Sequence, residues 1–190
     1  MSVIRFARTV EVDLAAPLTA QERRRRDRLA RPQDRAAYTA AHLLVRVCAG
    51  ELLDVDPATL RLQQHCPTCG SDDHGRPTLA GHGEVYVSLS HTTGHVAAMA
   101  ATTPCGIDVQ VTAAELVARA LTARETKWLS GQSAPLDGFT RLWARKEALI
   151  KLGAATDPGR IDVLDPPAAV TFTEWAADGV HGCAAARRAV

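Results

Sequence analysis

The chain has 190 residues, with 22 Lys and Arg against 21 Asp and Glu, so its net charge of +1 provides no global basic field for coating nucleic acid. At 46% hydrophobic and 23% charged residues the composition is that of a globular chain rather than a disordered one. No apolar run approaches the ~20 residues of a membrane span, and the first residues lack the apolar core of a secretory signal. Five cysteines, at positions 48, 66, 69, 105 and 183, are an odd number in a chain large enough to fold without staples. They point to a reducing, cytoplasmic compartment.

In chain order, Val3–Leu14 alternates enough to predict a first strand. Thr19-x-x-Glu22 has the form of a capping box and opens a helix that carries Arg23, Arg24, Arg25, Arg26, Arg28 and Arg31 up to the break at Pro32. A second helix, about 33–53, has Ala37, Ala41, Leu44, Cys48 and Leu52 at helical spacing. Pro57 suits the first turn of a short helix over Asp56–Leu60, and 64–83 reads as a Gly/Pro/His-rich loop. A hairpin follows, with Val85, Val87 and Leu89 alternating, Thr93-Gly94 in the turn and Val96–Ala101 returning. Next come a strand near Gly106–Val111, a helix within 113–121, a helix from Arg124, a strong helix over 138–152, and a closing hairpin of Ala168–Trp175 with Val180–Ala186. Two successive sets of helices and strands, 1–103 and 104–190, predict an α+β fold. No internal sequence repeat is visible.

Charge is distributed unevenly along this order. Residues 1–50 hold ten arginines and five acidic residues, and the remainder is net acidic. Only three of the 22 basic residues are lysines: Lys127, Lys146 and Lys151. A preference for arginine codons accounts for most of that bias. It still draws attention to 146 and 151, because Lys offers phosphate a compact charge and can give up a proton where Arg does not.

Four short segments could carry chemistry. Asp108 and Gln110 share one face of a strand, where they can hold a hard cation through oxygen or simply meet solvent. Glu147 and Lys151, at i and i+4 on the strong helix, form either a surface ion pair or part of a site. Ser88, Ser90, His91 and Thr92 end a strand, as turn formers or as a phosphate-binding or nucleophile–base set. Cys66-x-x-Cys69 with His74 begins like a zinc knuckle, but Leu79 stands where the fourth ligand belongs, and His65, His82 or Cys105 could replace it only through tertiary structure.

Together these segments resemble the Sfp-type 4′-phosphopantetheinyl transferases. That family shows Gly-(Lys/Arg)-Pro, Ser-His-(Ser/Thr), Gly-(Ile/Val)-Asp-x-Glu and Trp-x-x-Lys-Glu-(Ala/Ser)-x-x-Lys in this order. This chain has Gly75-Arg76-Pro77, Ser90-His91-Thr92, Gly106-Ile107-Asp108-Val109-Gln110 and Trp143-Ala-Arg-Lys146-Glu147-Ala148-Leu-Ile-Lys151. The resemblance implies two similar α+β halves with coenzyme A in the cleft between them, divided at about 103/104. It also implies transfer of phosphopantetheine to a serine of an acyl, peptidyl or polyketide carrier protein, with Mg²⁺ as cofactor. Arg76 and Pro77 then lie near the adenine, Ser90 and His91 at the phosphates, and Arg25 with Arg28 at the 3′-phosphate. Asp108, Gln110 and Glu147 hold the metal, Glu147 acts as base, Lys151 serves the leaving phosphate, and Lys146 flanks the base. Gln110 departs from the family's usual Glu and removes one negative charge, so weaker Mg²⁺ binding or an added water is expected. A monomer is expected, with neither nucleic acid nor membrane as partner. The basic N-terminal half or the apolar stretch Val111, Leu116, Val117 and Leu121 is the expected docking surface. The rival reading is a small zinc-assisted nucleic-acid-binding module, which the low charge, 4% aromatic content and incomplete knuckle disfavour.

Overall fold

The computed structural model describes residues 1–13, 16–66, 69–71 and 75–188. It is an α+β fold with two sheets and four α-helices. In chain order the elements are β1 (Ser2–Arg8), α1 (Ala20–Asp27), α2 (Pro32–Leu53), β2 (Leu62–Gln64), β3 (Pro77–Leu79), β4 (Tyr86–Thr92) and β5 (His95–Ala101), then β6 (Cys105–Val111), α3 (Ala123–Leu129), α4 (Pro135–Leu152), β7 (Val170–Ala177) and β8 (Val180–Arg187).

Every sheet contact is antiparallel. The five-stranded sheet has the order β1-β5-β4-β3-β2 and the three-stranded sheet the order β6-β8-β7. Alternation along each strand sends its two faces to different cores. Val87, Val96, Ala98 and Ala100 pack under α2 with Ala41, Leu44 and Cys48. Ala97, Met99 and Ala101 meet Ile107, Val109 and Ala184 between the sheets. Cys183 and Ala185 lie under α4 with Ala148 and Leu149. The layers therefore run α2, five-stranded sheet, three-stranded sheet, α4. Gly106 brings α4 against β6, because a Cβ there would collide with the Ala148 carbonyl.

The predicted capping box forms: Glu22 N–H donates to Thr19 Oγ1 (3.2 Å) and Thr19 N–H donates to a Glu22 carboxylate oxygen (2.6 Å). The arginine helix stops at Asp27, short of the predicted Arg31, which leaves Arg28 as its C-cap and Arg31 as the N-cap of α2, opened by Pro32. The hairpin turn falls on Thr93 and Gly94, with Thr92 opposite His95. Three further expectations are corrected. The first strand ends at Arg8, because Thr9–Glu11 closes a 3₁₀ turn in which Arg8 N–H donates to Glu11; Leu14 lies outside the described residues. The 64–83 loop contains strand β3 and begins on the last residue of β2, three-residue strands too short to leave a periodic signature. In 113–121 only Ala118–Ala120 turns, as 3₁₀ helix. Ala113 N–H donates instead to Thr140 Oγ1 on α4 (2.9 Å), so tertiary bonding overrides helix propensity there. No helix among the described residues is long and apolar enough to cross a membrane.

Candidate active site

A cavity of about 650 Å³ opens where α1, α2, β3 and β4 face the end of α4. Arg25 comes from α1, Tyr38 and His42 from α2, and Gly75, Arg76 and Pro77 from the start of β3. Ser88 to His91 come from β4, and Ile150 and Lys151 from α4.

Local structure fixes each group. Gly75 (φ 119°) passes so close to His65 that a Cβ would strike that residue's carbonyl, and Gln64 Nε2 donates to the Gly75 carbonyl (3.0 Å). That turn aims Arg76 across the cavity onto the end of α4, where a Cβ on Gly153 would lie 2.7 Å from Arg76 Nη2. A cation at a helix carboxyl end is favourably placed. On α2, Tyr38 and His42 are one turn apart with ring centroids 3.9 Å apart, and His91 meets Tyr38 edge-on at 6.2 Å. His42 Nδ1–H donates to the Tyr38 carbonyl (2.9 Å), and burial lowers the His42 pKa to about 4. Burial also pulls His91 down, helped by the nearby charge of Lys151. Burial raises the Tyr38 hydroxyl, against the opposing pull of Arg25. Both imidazoles are therefore neutral donors or acceptors at neutral pH, beside the cations Arg25, Arg76 and Lys151.

Asp108 lies behind the lining residues Ser90 and Lys151. It is 1% exposed, on the face of β6 turned to α4. Its Oδ1 accepts from Ser90 Oγ (2.8 Å) and Lys151 Nζ (2.6 Å), and its Oδ2 accepts from Gln110 Nε2 (3.0 Å). Lys151 also donates to the Ile107 carbonyl (3.0 Å). Glu147 is one helical turn before Lys151, hence on the same face. Its pKa is raised by burial and by the charge of Asp108, against the opposing pull of Lys151. Two carboxylates in one field, one already resisting ionisation, suit a cation between β6 and α4. Among the described residues no three His, Cys, Asp or Glu side chains group to hold a metal. Two carboxylates are nevertheless enough for Mg²⁺, which keeps several waters and takes phosphate oxygens as further ligands.

Other predicted residues go elsewhere. Lys146 is 0% exposed and outside the cavity: it pairs with Glu125 (2.8 Å) and donates to the carbonyls of Pro158 (2.7 Å) and Ile161. Two residues along the helix from Ala148, and so on its opposite side, Lys146 has α3 and the 158–163 segment as neighbours. Arg28 is exposed at the C-cap of α1 and does not line the cavity. Gln110 reaches Asp108 as a donor, because a carboxylate can only accept. Cys66 is half-buried and Cys69 exposed, while His74 lies outside the described residues. Tyr38, His42 and Gln64 escaped the sequence reading. Tyr38 and His42 carry only the i, i+4 signal of a second stripe beside the apolar one, and Gln64 carries none.

Residues 104–183 match the family model of the 4′-phosphopantetheinyl transferase superfamily. That span holds Gly106–Gln110 and Trp143–Lys151, whereas Gly75–Pro77 and Ser90–His91 lie outside it and meet it in the cavity. No curated protein matches the chain.

Proposed function

We propose that the chain is an Sfp-type enzyme that transfers 4′-phosphopantetheine from coenzyme A to a carrier-protein serine, as a holo-[acyl-carrier-protein] synthase type transferase. One observation carries this reading: Gly75–Pro77 and Ser90–His91 face Ile150 and Lys151 across a single cavity, and Asp108, behind that lining, is bonded to both Ser90 and Lys151.

The residues divide the work by chemistry. Arg25 and Arg76 bracket the cavity and suit the 3′-phosphate and the adenine side, where a planar guanidinium grips phosphate bidentately. Pro77 gives the base an apolar wall, and Ser90 and His91 offer donors to the pyrophosphate. Asp108 and Glu147 are the groups to hold Mg²⁺, which when bound neutralises charge that develops on the pyrophosphate. Glu147, whose pKa burial and the charge of Asp108 raise, is suited to take the proton of the carrier serine. Lys151 stands ready to donate to the leaving phosphate. Gln110 orients Asp108, and Lys146 supports the fold around α4 rather than the chemistry.

Pseudo-symmetric halves divided at 103/104 accompany this proposal. Their support is that in each set the first strand pairs with the last strand of a closing hairpin, and a long helix covers the sheet. The cavity is built within one chain, which suits a monomer. A second, apolar cavity of about 440 Å³ beside Gln110, lined by Val111, Val117, Phe139 and Trp143, suits the carrier protein. Five thiols free of disulfides suit a reducing cytoplasm.

The test is mass spectrometry of an apo carrier protein incubated with the chain, coenzyme A and Mg²⁺. One phosphopantetheine is gained with the wild type, and at least about a hundredfold more slowly with Glu147→Ala. No gain on any acyl, peptidyl or polyketide carrier contradicts the proposal.

A further inference from the structure

Asp108 lies just behind the cavity lining, bonded to two of the residues that form it, Ser90 and Lys151. Its carboxylate has three donors from three elements: a β4 hydroxyl, an α4 ammonium and the amide of Gln110 two residues along its own strand. It is also nearly sealed from water, whereas the Lys151 side chain is 30% exposed and borders the cavity. Their 2.6 Å contact sets a buried anion against a cation that has somewhere else to go.

We infer that Lys151 is the resident counter-cation of Asp108, a positioning residue that must release the carboxylate before a divalent ion takes it, so that metal and polyphosphate bind with mutual support. The inference rests on the transferase reading and deepens it. A divalent ion sits about 2.0–2.5 Å from a carboxylate oxygen. With the ammonium still on the same Oδ1, two cations stand about 4 Å apart in a partly desolvated pocket, which is strongly repulsive. Lys151 therefore swings away, giving up Asp108 and the Ile107 carbonyl, and needs a new anion. A phosphate arriving in the cavity supplies one. The same displacement delivers the ammonium to the phosphate it is to serve. Gln110 reinforces the arrangement by occupying Oδ2, where the family's Glu would repel Asp108 and draw in a cation. By linkage, whatever polyphosphate contributes to metal binding the metal returns to polyphosphate binding.

The experiment is a Mn²⁺ titration of the full chain, read by electron paramagnetic resonance of the free ion, with and without coenzyme A. In the wild type, coenzyme A tightens Mn²⁺ binding about tenfold or more. In Lys151→Met and Lys151→Gln, Mn²⁺ alone binds about tenfold or more tightly than to the wild type, and coenzyme A adds less. The second variant guards against misfolding of the first, and circular dichroism reports on both. Unchanged Mn²⁺ affinity in folded Lys151 variants overturns the inference, even if the wild type modifies carrier proteins normally. A wild type that modifies no carrier protein overturns the transferase reading beneath it instead.

Discussion

Glu22 and Glu125 occupy matching places in the two sets of elements and are used in the same way up to a point. Each is the last residue of a Thr-x-x-Glu capping box that opens a short helix, and each pairs with a cation on the long helix that follows. All four members of the two pairs are at most 2% exposed. Beyond that the pairs diverge. Glu22 gives both oxygens to Arg46 (2.9 and 2.7 Å), whose spare donors reach the carbonyls of His42 (2.8 Å) and Leu60 (3.2 Å). Glu125 gives one oxygen to Lys146 and the other to Val163 N–H (2.9 Å), and Lys146 spends its remaining donors on Pro158 and Ile161. The first pair ties α1 to α2, the wall that carries Arg25, Tyr38 and His42. The second pins the 158–163 segment against α4, the helix that carries Glu147 and Lys151. A planar fork suits two oxygens and two carbonyls on one side, and a compact ammonium suits three acceptors spread around it. A retained lysine in an arginine-rich chain thus marks geometry, and only one of the two at 146 and 151 lies at the proposed site.

Removing one partner leaves the other charge buried and unpaired, which is the largest effect to be expected. Glu22→Ala and Glu125→Ala should each cost about 3–5 kcal/mol in denaturant unfolding. Glu125→Leu combined with Lys146→Met should recover only part of that loss, because it leaves no uncompensated charge but takes their partners from Val163 N–H and from the Pro158 and Ile161 carbonyls. If either single variant unfolds like the wild type, the comparison between the two pairs breaks.

Acid should separate the two regions next. The folded-state pKa of His42 is about 4 against an ordinary 6.5, so the unfolded chain protonates first and stability falls as pH drops from about 6.5 to 4, by at most about 3 kcal/mol. In the C-terminal set, Arg141 and Arg145 hold Glu174 at about 2, so its contribution is intact above about 4.5 and is lost only as pH falls toward 2. Hydrogen exchange at pH 5 should therefore show α2 loosening before α4. His42→Gln should flatten the pH dependence; equal loosening of both helices would argue against this assignment.

The smallest effects lie at the caps. Thr19→Ala and Thr122→Ala each remove one side-chain bond to an N3 amide and should cost about 1 kcal/mol by thermal unfolding. Similar values would sharpen the likeness between the sets. A cost above about 2 kcal/mol at one site would show that its threonine also holds the buried glutamate in place.

Elements with a local cause were legible in the sequence. The Thr19–Glu22 box, the Thr93-Gly94 turn and the long stripes of α2 and α4 announce themselves within a few residues. The site residues were legible as motifs, but their partners were not. Asp108 shows no sign in sequence of being shared by Ser90 and Lys151, and Lys146 and Lys151 look equivalent until the helix turns one toward Glu125 and the other toward Asp108. The 113–121 segment failed for the same reason, since Thr140 on a distant helix claims its amide. The two buried ion pairs were also hidden, because one cation is Arg and the other Lys and no residue repeat records them.

The central claim, that this cavity transfers a phosphopantetheinyl group, is tested most directly by product balance in one reaction. The chain, coenzyme A, Mg²⁺ and an apo carrier protein are incubated together, and modified serine and released 3′,5′-adenosine bisphosphate are both quantified. The two products should appear in equal amounts with the wild type, and both should fall together in Glu147→Gln. Bisphosphate released without carrier modification, or an undiminished yield from Glu147→Gln, would contradict the account.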